Sequence, residues 1–338
     1  MRRYILLLLL TVFLFSCRNN KTPDVSNIKI NLTTQRFEQD FFAADSANFP
    51  QHINELKAKY PRFLPVFFSE LLETNPAMPI DTTNKYIGGF LNLYKTVYDS
   101  SQLTFKDFTP YQNEIVKAFQ YINYYFPDYK LPTTVVTYIA PIEGTGNFLM
   151  SDYKLLGIGL EHYLGKNYPL YKIDQVQETY PAYVSARFEP SYIAINSTQN
   201  ILSDIYPEKE NDDPLITQMI EKGKRLYILS KLLPATEEYK LIGYTDQQLK
   251  DCYKNEAIVW NMFIQNSLLQ EHNPDIIKNY IGESPKTQAL GEGAPGNLGS
   301  FSGWQIVKKY MSKNEEMSLK QLMSTDDEKI FQEAKYKP

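Results

Sequence analysis

The chain has 338 residues, 43% of them hydrophobic and 14% aromatic, and a formal net charge of -4 at pH 7. That sign of charge, with no stripe of Lys or Arg along any segment, argues against a nucleic-acid partner. The apolar content supports a packed core, and the length suits one large domain or two small ones.

Residues 1–16 read as a secretory signal. Arg2 and Arg3 form a basic start, Tyr4 to Phe15 is an unbroken apolar run, and Ser16 stands before Cys17. The run is too short and too abruptly ended to span a bilayer. Leu14-Phe15-Ser16-Cys17 looks like a bacterial lipobox, in which the Cys17 thiol receives diacylglycerol, the chain is cut before it, and the new amino group is acylated. One acyl chain holds a protein only marginally, at about 0.8 kcal/mol per buried CH₂, whereas several anchor it effectively for good. Cys17 is therefore the expected lipidation site, and its covalent lipid is the only cofactor expected. Residues 17–33 are polar at the start, without apolar periodicity, and read as a flexible tether. Once Cys17 is lipidated, Cys252 is the only other cysteine, so no intramolecular disulfide can form. Its spacing from Leu249, Tyr253 and Trp260 is helical and reads as a small buried hydrophobe.

The body is expected over residues 34–311 as a single α+β domain, predominantly helical with a small sheet, followed by a charged tail over 312–338. From 34 to 129 the apolar residues recur at helical spacing, as in Tyr86, Phe90, Leu93, Tyr94 and Val97, and predict four or five short helices. Between 131 and 165 the period changes. Thr133 to Ala140 and Lys154 to Leu160 read as strands, with Gly144, Gly146 and Asn147 as turn material between them. Helical stripes return over Ile193–Tyr206, Leu215–Leu233 and Asp246–Leu269; Thr245 and Gln248 give the last a capping-box start. A Gly/Pro-rich loop over Gly291–Gly303 then precedes a short helix from Trp304 to Met311. The aromatics that precede proline (Tyr60, Phe126, Tyr168, Tyr180 and Tyr206) should mark element ends, because proline drives the preceding residue toward extended backbone. Core and punctuation account for the aromatic excess better than a glycan platform does.

The usual catalytic signatures do not occur. The three histidines, His52, His162 and His272, form no His-Glu-x-x-His run. No Gly-x-Ser-x-Gly elbow, dinucleotide fingerprint or Walker lysine accompanies the glycines. His52 and His272 read as solvated. His162, just after the second strand, reads as a satisfied structural histidine or a lone weak ligand. Glu256 falls on the stripe Leu249, Tyr253, Glu256, Trp260, Phe263, which predicts a buried carboxylate paired with Arg187, Lys224 or Arg225.

Four blocks carry a family likeness: Gly157–Tyr171 (GIGLEHYLGKNYPLY), Lys222–Pro234 (KGKRLYILSKLLP), Ile242–Trp260 (IGYTDQQLKDCYKNEAIVW) and Pro295–Met311 (PGNLGSFSGWQIVKKYM). With the lipobox, they resemble the gliding-motility lipoprotein GldB family of Bacteroidetes. The resemblance implies a membrane-anchored envelope lipoprotein whose partners are envelope or gliding-machinery proteins. In such lipoproteins an acidic cluster after the cysteine accompanies surface export; this chain has none, which points to a periplasm-facing leaflet. The layout is also similar to zincin-type metallopeptidases, with an apolar edge strand, here Lys154–Leu160, before the metal-binding helix. The helix Ile193–Tyr206 would then occupy the His-Glu-x-x-His place, where Asn196, Ser197 and Asn200 stand instead. Amides are poor Zn²⁺ ligands and serine is no general base, so a scaffold without metal or catalysis, binding a protein or peptide, is the expectation. The alternatives are a zinc peptidase with atypical ligands and a glycan-binding lipoprotein.

Overall fold

The structure is a computed structural model that describes residues 22–44, 49–75, 77–208, 212–291 and 293–338. The lipobox and Cys17 lie outside the described residues. In chain order the body runs β1 (Thr33–Arg36), α1 (Phe37–Phe42), α2 (Phe49–Lys59), α3 (Phe63–Val66, continuing as a π-turn over Phe67–Leu71), α4 (Ile80–Leu93), α5 (Lys95–Thr104) and α6 (Thr109–Tyr125). Strands β2 (Thr134–Tyr138), β3 (Asn147–Met150) and β4 (Leu155–Gly159) follow, then α7 (Asp174–Thr179), α8 (Ala182–Ser185), α9 (Ile193–Ile205) and α10 (Leu215–Leu232). The last part holds α11 (Glu238–Ile242), α12 (Asp246–Lys254), α13 (Glu256–Gln265), α14 (Pro274–Ile281), α15 (Leu298–Lys313), α16 (Leu319–Ser324) and α17 (Asp327–Ala334). The fold is α+β and predominantly helical, with one small mixed sheet.

The sheet order is β1-β2-β4-β3, with β1, β2 and β4 parallel and β3 antiparallel to β4. Parallel strands covered on both faces read as continuous apolar runs, and Val135 to Tyr138 and Leu155 to Gly159 are buried throughout. The expectation that Lys154–Leu160 forms the edge is corrected: β4 is interior, because β3 takes the outer place. Gly157 permits that pairing, since a Cβ there would come within 2.4 Å of the Phe148 ring. Asn147, expected in the turn, starts β3.

The first half packs on aromatic rings. Phe37 lies 4.7 to 5.0 Å from the rings of Tyr60, Phe63 and Phe67, edge-on in each case. Such pairs contribute about 0.5–1.5 kcal/mol each beyond their burial. Tyr60 follows the end of α2, and Phe126, Tyr180 and Tyr206 stand at the C-terminal caps of α6, α7 and α9. Tyr168 opens the 3-10 turn Pro169–Lys172 with ψ 132°.

In the second half α10 and α15 cross at two glycines. A Cβ on Gly223 would fall 2.3 Å from the Gly303 carbonyl carbon, and one on Gly303 would fall 1.7 Å from the Met219 oxygen. The expected Gly-rich loop therefore ends earlier. From Leu298 onward it is helix, and Gly299 and Gly303 serve close packing. The long helix over Asp246–Leu269 is also corrected. Its start is right, with the Thr245–Gln248 capping box formed, but Asn255 (φ −109°, ψ 19°) breaks it and turns its side chain to the Asp251 carbonyl at 2.9 Å.

Both boundaries of the body move outward. Val25 and Leu32 are buried, and Gln120 and Gln112 donate to the carbonyls of Ile28 and Leu32, so packing begins inside the expected tether. The expected charged tail over 312–338 instead holds α16 and α17, with Leu319, Leu322, Ile330 and Ala334 buried. Asp327 binds the Lys224 ammonium at 2.5 Å, and Lys224 is buried.

Candidate functional site

A cavity of about 650 Å³ opens between α9 and α10. The helical period of α9 decides which side chains face it. Asn196, Gln199 and Ser203 line the cavity, three or four residues apart, while Ser197, Asn200 and Asp204 follow the next row. On that second row Ser197 accepts from Asn147 Nδ2 at 3.3 Å and Asp204 accepts from Ser151 at 2.8 Å, which ties α9 to β3 and the residue after it. Asn196 donates to the Tyr163 hydroxyl at 2.8 Å, and Asn200 Nδ2 is buried without a hydrogen-bond partner.

α10 supplies Lys222 and Arg225 to the opposite wall. Arg225 reaches Glu221 at 3.4 Å and Glu208 at 4.0 Å, while Lys222 holds Glu208 at 2.9 Å. Arg187 grips Glu283 with two parallel bonds of 3.0 Å. This fork sits against Gly243 (φ +79°), where a Cβ would come 2.5 Å from the Arg187 guanidinium. A second cavity of about 350 Å³ shares Arg187, Glu283, Lys240 and Asn297 with the first. The two together form a groove that the Arg187–Glu283 pair divides. Its walls mix amides, hydroxyls and paired charges with Phe188, Leu226 and Leu229, the donor and acceptor supply that an extended chain requires.

Of the residues singled out from sequence, the structure brings Arg187, Arg225 and Asn196 to this groove and puts Ser197 and Asn200 on the sheet-facing side of the same helix. Glu256 is elsewhere. Because Asn255 breaks the helix, Glu256 opens α13, half-buried, and accepts from the Tyr336 hydroxyl at 2.6 Å. The expected partners are otherwise engaged: Arg187 with Glu283, Lys224 with Asp327, Arg225 with Glu221 and Glu208.

His162 is buried, as a structural histidine should be, but it is not satisfied. Neither ring nitrogen has a hydrogen-bond partner, although Nδ1 lies 3.3 Å from Glu161 Oε1, out of alignment for a bond. Its ring packs edge-on to Tyr180 at 5.4 Å and Phe188 at 5.0 Å. Glu161, which no sequence pattern singles out, has no exposed surface, and neither carboxylate oxygen has a hydrogen-bond partner. Burial pushes its carboxyl above the ordinary range, against the opposing pull of His162. The signal available was an acid two residues after a wholly apolar strand. Cys252 is buried as expected, and burial pushes its thiol up to about 12, which leaves it inert.

Among the described residues no three His, Cys, Asp or Glu side chains converge as a metal-binding group, and no helix is long and apolar enough to cross a membrane. No curated protein and no solved structure matches the chain. The family model described as gliding motility protein GldB matches residues 18–338, so that the groove, the sheet and the C-terminal helices all fall within the match. The chain belongs to the GldB family of gliding-motility lipoproteins.

Proposed function

We propose that this lipoprotein works without catalysis, by holding an extended segment of an envelope protein of the gliding machinery in the groove between α9 and α10. The observation that carries the reading is the groove itself: amide and hydroxyl groups from Asn196, Gln199 and Ser203 face the paired charges of α10 across a volume of about 650 Å³. Several features support a scaffold related to peptidases that has lost its chemistry. α9 is tied to β3, the strand at the sheet's edge, and its positions 196, 197 and 200 offer two amides and a hydroxyl where a zinc enzyme requires imidazole and a carboxylate base. The anchor is the lipid on Cys17, in the periplasm-facing leaflet.

Filling the groove tests the reading. Gln199 is exposed and lines the cavity, so Gln199→Trp leaves the core intact while occupying the space. In a gliding host this variant should be anchored and abundant yet fail to restore spreading to a deletion strain. Full spreading would refute the groove as the working surface. Stoichiometric Zn²⁺ in the purified lipoprotein, with chelator-sensitive cleavage of peptides, would refute the non-catalytic reading.

A further inference from the structure

The body meets its anchor at a face rich in tyrosine and lysine. The described chain passes Asp24 and Val25 beside the C-terminal half of α6, where Gln120 binds the Ile28 carbonyl. Tyr124 and Tyr125 stand there beside the buried Tyr121. Tyr124 is 51% exposed, and its ring meets that of Tyr125 at 5.0 Å. Half-buried Tyr227 is carried by α10, which packs against α6. Two ammonium groups lie over this cluster, Lys117 at 5.3 Å from the Tyr121 ring and Lys231 at 4.9 Å from the Tyr227 ring. Over residues 18–31 the sequence adds Arg18, Lys21 and Lys29 against the single acid Asp24.

The distance to the anchor limits which face can meet a bilayer. The eight residue steps from Cys17 to Val25 span at most ~29 Å. A compact body of this length is roughly 50 Å across. The pole opposite Val25 therefore cannot reach the membrane, whereas the face around α6 cannot stray far from it. Amphipathic rings with cationic neighbours suit the headgroup level, where phenol hydroxyls and ammonium groups meet glycerol and phosphate.

We propose that the Tyr124–Tyr125–Tyr227 face, with Lys117 and Lys231, rests on the phospholipid headgroups of the membrane that holds the lipid anchor. This rests on the lipid-anchored reading of Cys17. It fixes the body in one orientation, so that the groove keeps a set direction relative to the bilayer.

The test uses the full lipidated protein in vesicles of phosphatidylethanolamine and phosphatidylglycerol. A fluorophore is placed at Tyr124→Cys or at Leu93→Cys, both exposed positions, and quenched by lipids that carry a nitroxide at the headgroup. Quenching should be stronger at 124 than at 93. Lys117→Glu with Lys231→Glu should weaken it at 124 without changing flotation with the vesicles. Equal quenching at the two positions, none at either in protein that floats, or undiminished quenching in the double variant would each overturn the headgroup contact. Protein that fails to float at all would instead indict the anchor, and this face with it.

Discussion

The crossing of α10 over α15 makes a quantitative prediction at Gly303. Alanine is the better helix former by about 1 kcal/mol, so propensity alone favours Gly303→Ala. The new methyl would stand 1.7 Å from the Met219 oxygen and 2.4 Å from its carbonyl carbon. Both are backbone atoms, which cannot swing aside as a side chain can, so the two helices must separate. Overpacking of that kind costs up to about 3 kcal/mol, which leaves a net loss of ~2 kcal/mol and a fall in Tm of roughly 5 °C. Gly88 is the control. It lies exposed in α4, and a Cβ added there would meet nothing within 4 Å, so Gly88→Ala should hold or raise Tm. Thermal unfolding followed by circular dichroism measures both. A Gly303→Ala protein as stable as the Gly88→Ala protein would refute the close-packed crossing.

Three other outcomes follow from the structure. Asp327→Ala leaves the buried Lys224 ammonium with only Glu221 at 3.9 Å and the Thr325 carbonyl at 2.7 Å, and should cost about 3 kcal/mol in denaturant unfolding; a loss within error would refute the ion pair as a fastener of the C-terminal helices. Burial raises the folded-state Glu161 carboxyl above its ordinary value of 4.5, so the stability it contributes is complete below that value and lost as pH rises through the raised one. Glu161→Gln should accordingly gain Tm over the parent at pH 8 but little at pH 5, and parallel curves would disprove the sign. Cys17→Ala should abolish palmitate incorporation and release the protein from the membrane fraction; unaltered labelling would remove the anchor.

What could be read from the residues alone follows from how local each signal is. β2 and β4 are buried on both faces and announce themselves as apolar runs, and α9 and α10 carry unbroken stripes. β1 is Thr-Thr-Gln-Arg, half-exposed at a sheet edge, and its strand character comes entirely from pairing with residues a hundred positions later. β3 is four residues placed just after two glycines, which mask it as a turn. The glycines at 299 and 303 look like loop until Gly223 is known to face Gly303. The groove is half legible: positions 196, 197 and 200 point to α9, but which of them faces the cavity, Asn196 with Gln199 and Ser203, depends on how the helix is turned. Glu256 misleads because a stripe continued through Asn255 carries no record of the break there. The partners of Lys224 and Glu256 come from the last helix and the residues just beyond it, Asp327 and Tyr336, whose apolar positions are diluted by charge.

The order of the strands bears on when this body can form. β1, at the front of the folded part, pairs with β2 across roughly a hundred intervening residues, Thr33 beside Thr134. At the other end, Lys224 receives its nearest counter-charge from α17. Long-range closures of this kind form late and slow folding. A polypeptide that remains unfinished until its final turns emerge can thread a translocation pore extended and close up only on the far side.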